Sequence, residues 1–180
     1  MQSLISLSVR VRDKIAVGRS AEKLIAKEIQ NYIKWSEKDG GFAKKRFIPV
    51  LSVIEARPKQ RSDSLGATIT SQMQFLAKKH RENLAEGINE DGQTVYRRQP
   101  PLLYGIIVAK CNAIFVTLDS ANPDAQLRPF RFQNFDFKNK DDGVWNGFAI
   151  AIMVIVARNY IMSIKDELED DDEPVEDVDA

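Results

Sequence analysis

The chain has 180 residues, 43% of them hydrophobic, with 26 Lys+Arg, 26 Asp+Glu and a single cysteine, Cys111. That length and apolar content suit one domain with its own core, and one cysteine excludes an internal disulfide framework. The zero net charge hides a division: Asp166 to Ala180 holds ten acids and no base, so Met1 to Lys165 carries 26 Lys+Arg against 16 Asp+Glu, about +10.

A basic body is either the electrostatic footprint of a phosphate-backbone binder or ordinary surface lysine balanced by a solubilising tail. The opening stretch is neither basic first nor continuously apolar, so no signal peptide is read there. The longest apolar run, Val144 to Ala157, is short of the roughly 20 residues that span a bilayer. The expectation is a protein of a reducing compartment, cytosol or nucleus, without a membrane partner.

In chain order, residues 3–12 alternate, with Ile5, Leu7, Val9 and Val11 against Ser6, Ser8, Arg10 and Arg12, which predicts a half-buried strand. Gly18 breaks it, and Ser20 is an N-cap for a helix over about 21–37, with Glu22 at its positive end. Ala21, Leu24, Ile25, Ile29, Tyr32 and Ile33 form its apolar stripe, and Glu28 lies within that stripe. An acid on a buried helix face needs a partner: a nearby Arg or Lys, or a site shared with an acid on a strand.

Asp39-Gly40-Gly41 is a turn signal. Pro49 to Ile54 then reads as a largely buried strand closed by Pro58. Leu51, Val53, Glu55 and Arg57 share one of its faces, and Lys59 follows if the chain stays extended. A carboxylate beside a guanidinium at the end of a buried strand is a salt bridge, a metal and phosphate site, or a solvated mouth.

After a polar loop, Arg61 to Ser64, a helix over about 66–86 carries Ile69, Met73, Leu76 and Leu84 at helical spacing, with Gln72 placed on the same face. His80 falls on that face without Cys or His companions at metal spacing, so it reads as a satisfied, partly buried histidine. Lys78, Lys79 and Arg81 around it form a short basic cluster. Residues 87–101, rich in Gly, Asn, Asp and Gln and carrying Arg97-Arg98, predict a long functional or mobile loop. A hairpin follows, Leu102 to Ala109 with Ala113 to Asp119, both arms Ile- and Val-rich like central strands. Cys111 in its turn has no neighbouring histidine to activate it.

Arg128 to Phe137 interleaves Phe130, Phe132, Phe135 and Phe137 with arginines; phenylalanines two apart in a strand face a core more often than a stacked base. Asp141-Asp142-Gly143 starts a helix from Val144 to about Leu168, apolar nearly all round through Ala157, which is either the central packing helix or a subunit interface. Residues 1–168 are thus expected as one domain and 169–180 as a disordered acidic tail able to compete with nucleic acid for a basic groove.

The order of parts is strand, Glu55-Ala56-Arg57, loop, helix carrying Gln72-Met73-Gln74-Phe75, then the hairpin beginning Leu102-Leu103-Tyr104-Gly105-Ile106-Ile107. Over roughly Ser20 to Asp119 this order resembles the PD-(D/E)XK nuclease superfamily, the restriction-endonuclease-like fold. The resemblance implies an α+β fold with a central mixed sheet of about four to five strands flanked by three helices. It also implies a metal-dependent endonuclease using Mg2+ or Mn2+. Glu55 would be a metal ligand, with Glu28 second and Asp39 third, Arg57 a phosphate contact and Gln72 a positioning group. Lys59, Arg61, Lys78, Lys79, Arg81, Arg97 and Arg98 would contact DNA or RNA.

Two departures stand beside the likeness. No acid lies between Gly41 and Glu55, where the family carries an aspartate on a strand, which leaves only Asp39 and Glu37. Arg57 replaces the family's lysine; arginine neutralises phosphate but stays protonated and cannot act as a general base. Two further readings therefore accompany the nuclease: a nuclease-like fold that has lost catalysis and binds nucleic acid or a protein partner, and an α+β interaction module that dimerises through the apolar C-terminal helix.

Overall fold

The computed structural model describes residues 2–57, 60–90 and 92–171. Residues 3–12 are not a strand. They form helices α1 (Gln2–Ile5) and α2 (Leu7–Ala16), and the buried positions are Leu4, Leu7, Ser8 and Val11. That spacing of three and four is helical, and it shares Leu7 and Val11 with the alternating pattern. The remaining members of the alternation, Ile5 and Val9, are not buried; Val9 is 50% exposed.

Helix α3 (Glu22–Gly40) buries Ile25, Ile29 and Tyr32 as expected, but its N-cap is Ala21 and not Ser20, with no side-chain capping bond, and it runs on through Asp39 and Gly40, which were expected in a turn. It stops because Gly41 adopts φ 69°, a left-handed C-cap that glycine takes without Cβ strain. Strand β1 (Leu51–Glu55) turns Ser52 and Ile54 inward on one face and Leu51, Val53 and Glu55 on the other. Helix α4 (Ser62–Leu84) buries Leu65, Ile69, Met73, Ala77, His80 and Leu84. The loop expected over 87–101 contains structure: β2 (Ala85–Ile88) and β3 (Thr94–Tyr96) pair antiparallel, closed by a turn in which the Gly92 amide bonds the Asn89 carbonyl.

The central hairpin is β4 (Leu102–Ala109) with β5 (Asn112–Asp119), and β6 (Arg128–Asp136) adds alongside β5. One sheet results, in the order β1-β4-β5-β6, with β1 parallel to β4 and the other pairs antiparallel. The expected α+β architecture with a mixed sheet is therefore present. Strand β4 is buried on both faces. Ile106 and Val108 join the cluster under α1, α2, α3 and α5 (Gly143–Ser163), whereas Leu103 and Ile107 join the cluster under α4. A strand covered on both sides has no polar face to show, hence its continuous apolar run. Phe137 is fully buried and the Phe135 ring packs at a tilt on Phe115, centroids 4.6 Å apart, as core phenylalanines do; the side chains of Phe130, Arg131 and Phe132 lie outside the described residues.

Helix α5 stops at Ser163, short of the expected end near Leu168. At 21 residues it is long and apolar enough to cross a membrane by length and composition. One side is built into the core: Ile150, Ala151, Met153 and Val154 enter the first cluster, Ala157 and Ile161 the second. Gly147 permits the crossing with α1, since a Cβ there would lie 2.5 Å from the Leu4 carbonyl oxygen. The opposite side is exposed, with Trp145, Ile152, Ile155, Val156 and Met162 in one stripe. A short 3-10 turn (Lys165–Glu167) ends the helical region before residue 168, and the first residues of the acidic tail run back against residues 44–46. The rest of the tail, 172–180, lies outside the described residues.

Candidate nucleic-acid interface

Glu55 sits at the C-terminal end of β1, half-buried, on the face that Leu51 and Val53 turn toward the α3 and α5 cluster. Arg57 lies beyond the strand and is exposed, with its backbone amide donating to Gln60 Oε1 at 2.9 Å. Among the described residues Glu55 and Arg57 form no ion pair, and Lys59 lies outside them.

The other expected metal ligands have partners of their own. Glu28 is 7% exposed, and its Oε1 accepts from Arg10 Nη2 at 2.7 Å. Asp39 Oδ2 pairs with Arg158 Nη1 at 2.8 Å. Glu28 and Asp39 are eleven positions apart on α3, a rise of about 16 Å, so one ion cannot reach both. Among the described residues no three His, Cys, Asp or Glu side chains group closely enough to hold a metal. The carboxylates of the described residues do not fit the shared Mg2+ or Mn2+ site that the resemblance implies.

Gln72 is not on the apolar face of α4. The buried line runs through Ile69, Met73, Ala77 and His80, and Gln72, one residue or about 100° off that line, is exposed beside Ser71 and Phe75 over a shallow depression. The basic residues of α4 are likewise dispersed. Arg61 is exposed at the helix start, Lys78 pairs with Glu82 at 3.6 Å, and Lys79 lies 4.7 Å over the Phe75 ring. Arg81 Nη1 donates to the Ser120 carbonyl at 2.8 Å, tying α4 to the end of β5.

Arg97 and Arg98 have a different setting. They line a cleft of about 450 Å3 with Arg46, His80 and Tyr160, at the junction of the segment before β1, the C-terminal ends of α4 and α5, and the segment after β3. Arg97 is held by two bonds: its amide to the Leu84 carbonyl at 3.0 Å, and its Nη2 to Asn83 Oδ1 at 3.1 Å. Arg98 forms an ion pair with Glu167. On the floor, His80 Nε2 bonds the Pro49 carbonyl at 3.2 Å; since a carbonyl only accepts, that nitrogen carries the proton. Burial pushes the His80 pKa below its ordinary value, with the Pro49 bond opposing, and the ring meets Tyr160 edge-on. Burial also pushes the Tyr160 pKa up, with Arg98 and Arg97 opposing. The floor is therefore neutral, and the charged residues of the walls are Arg46, Arg97 and Arg98 together with Glu167 and Glu169.

The cleft opens at the N-terminal end of β1 and Glu55 lies at the other end, separated by at least the length of the strand, about 13 Å. Sequence reasoning named Arg97 and Arg98 and missed Arg46 and Tyr160. The run Lys44-Lys45-Arg46, three bases in succession, was the available signal for the first. Arg10 and Arg158 carried no such signal. Compared with known proteins, the chain matches no family model, no curated protein and no solved structure.

Proposed function

We propose that this chain is a nuclease-like fold acting as a binding module for the phosphodiester backbone of DNA or RNA, without metal-dependent cleavage of its own. The observation that carries this reading is the convergence of Arg46, Arg97 and Arg98 on one cleft, while Glu28 and Asp39 are taken up by ion pairs. Guanidinium forks suit phosphate oxygens bidentately, and Tyr160 and Phe47 in the same wall supply apolar surface for a base or sugar.

The test is fluorescence anisotropy with single- and double-stranded DNA and RNA oligonucleotides at low salt. The chain is expected to bind at least one class. Arg97→Glu with Arg98→Glu should weaken binding ten-fold or more and flatten the slope of log K against log salt by about 1.5 units. Equal binding by the double variant refutes the cleft. The same substrates incubated with Mg2+ or Mn2+ should stay intact; cleavage that disappears in Glu55→Ala would restore the metal-dependent endonuclease, with Glu55 as its ligand.

The exposed stripe of α5 favours a second property, self-association. From Trp145, 69% exposed, to Met162 it runs about 25 Å along the helix, interrupted by the exposed Asn159. A stripe of that kind is what a two-fold interface between copies buries.

A further inference from the structure

Acidic residues directly after α5 break a local rule. The carboxyl end of a helix carries partial negative charge, and cations are the residues that suit it. Here Lys165 is followed by Asp166, Glu167, Glu169, Asp170 and Asp171. The offset comes from across the cleft. Glu167 pairs with Arg98, Asp170 Oδ1 with Lys45 Nζ at 2.9 Å, and Asp171 Oδ1 with Arg46 Nε at 2.9 Å. The backbone joins in: the Arg46 amide donates to the Glu169 carbonyl at 2.9 Å and the Asp171 amide to the Lys44 carbonyl at 2.8 Å, with Lys45 and Asp170 as an antiparallel bridge. Three carboxylates thus meet two of the three cleft arginines and the lysine next to them.

We infer that residues 167–171 are a built-in polyanion that occupies the phosphate-binding side chains of the cleft, so that nucleic acid binds by displacing it. The inference rests on the proposed binding reading. The strap lies beside Arg46 and Arg98 with its carboxylates on the guanidinium and ammonium groups that a phosphodiester would use. It is built to be displaced. Asp170 and Asp171 are 72% and 50% exposed in their side chains, and exposed ion pairs are individually weak and salt-screened. Covalent attachment supplies the effective concentration that makes such weak pairs competitive with a free ligand. The strap is held by residues 44–46 and Arg98 and by Leu168, which packs against the cluster under α4, so displacement exposes that one partly buried side chain and breaks no strand pairing of the sheet.

The experiment compares the full chain with a triple variant, Glu167→Gln, Asp170→Asn and Asp171→Asn, for binding of a labelled single-stranded oligonucleotide at low salt. A control variant, Glu82→Gln, Glu86→Gln and Glu90→Gln, changes net charge equally but away from the strap. The strap variant should bind at least five-fold tighter than the unaltered chain, and the control no more than two-fold tighter. In the unaltered chain, oligonucleotide should speed hydrogen exchange at the Arg46 and Asp171 amides. If the chain binds through Arg97 and Arg98 but the strap variant gains no more than the control, the competing strap is wrong and the binding reading stands. If neither the chain nor the strap variant binds, the binding reading fails and takes the strap with it.

Discussion

Replacing Glu28 distinguishes a structural ion pair from a metal ligand by the sign of the stability change. The Glu28 side chain is 10% exposed and that of Arg10 39%. Breaking a fully buried pair costs about 3–5 kcal/mol. With one partner more than a third exposed, water screens part of the interaction, and glutamine keeps the shape and one acceptor, so Glu28→Gln should cost about 1–2 kcal/mol. At about 2–4 °C per kcal/mol for a chain of this size, the midpoint should fall by about 2–8 °C. Arg10→Met leaves a buried carboxylate alone and should cost more, about 2–4 kcal/mol. Adding Glu28→Gln to it should recover part of that loss, because the stranded charge is gone. Thermal and urea unfolding of the three variants completes a cycle around the pair. Carboxylates held together for a metal commonly relieve strain when removed. A Glu28→Gln chain as stable as the original, with additive effects in the cycle, would refute the structural assignment.

Gly147→Ala should destabilise by about 1–3 kcal/mol in urea melts, because its Cβ would lie 2.5 Å from the Leu4 carbonyl and force α1 off α5. His80 contributes a pH dependence of known sign. Its folded pKa is depressed by burial, so the unfolded chain binds more protons; stability is fully present above the ordinary histidine range and is lost as pH falls toward the folded value. Stability measured from pH 8 to pH 5 should decline, and His80→Phe should flatten that decline; an unchanged slope would assign it to other groups. Ile152, 61% exposed at the middle of the α5 stripe, should tolerate Ile152→Glu without loss of thermal stability while shifting sedimentation toward the monomer. A chain that sediments as a monomer at every concentration would remove self-association.

The legible parts of the fold are those whose burial leaves a periodic or continuous mark. Strands β4 and β5 could be read because both faces of each are covered, which demands apolar residues in succession. Helices α3 and α4 could be read from their stripes, although Gln72 shows how one residue, about 100° of rotation, separates a buried face from an exposed one. Residues 3–12 satisfied two periods at once, with Leu7 and Val11 common to both. Only the α5 surface under which they pack chose the helical set, through Leu4 and Ser8. The small β2–β3 hairpin is mostly exposed and left no apolar signature.

Of the candidate site, the sequence by itself determined the needs and not the partners. A charged Glu28 within an apolar stripe required a counter-charge, whereas the split between a basic body and an acidic end left open whether the two pair. Which residues meet was decided by tertiary structure. Arg10 reaches Glu28 only because α2 folds onto α3, and Arg158 reaches Asp39 only because α5 lies across the end of α3. The cleft is assembled from four stretches of chain separated by whole helices and strands, and the acidic strap finds Lys45 and Arg46 across more than a hundred residues. Local periodicity reports what each segment must bury. The position of one charge relative to another is a property of how those buried faces pack.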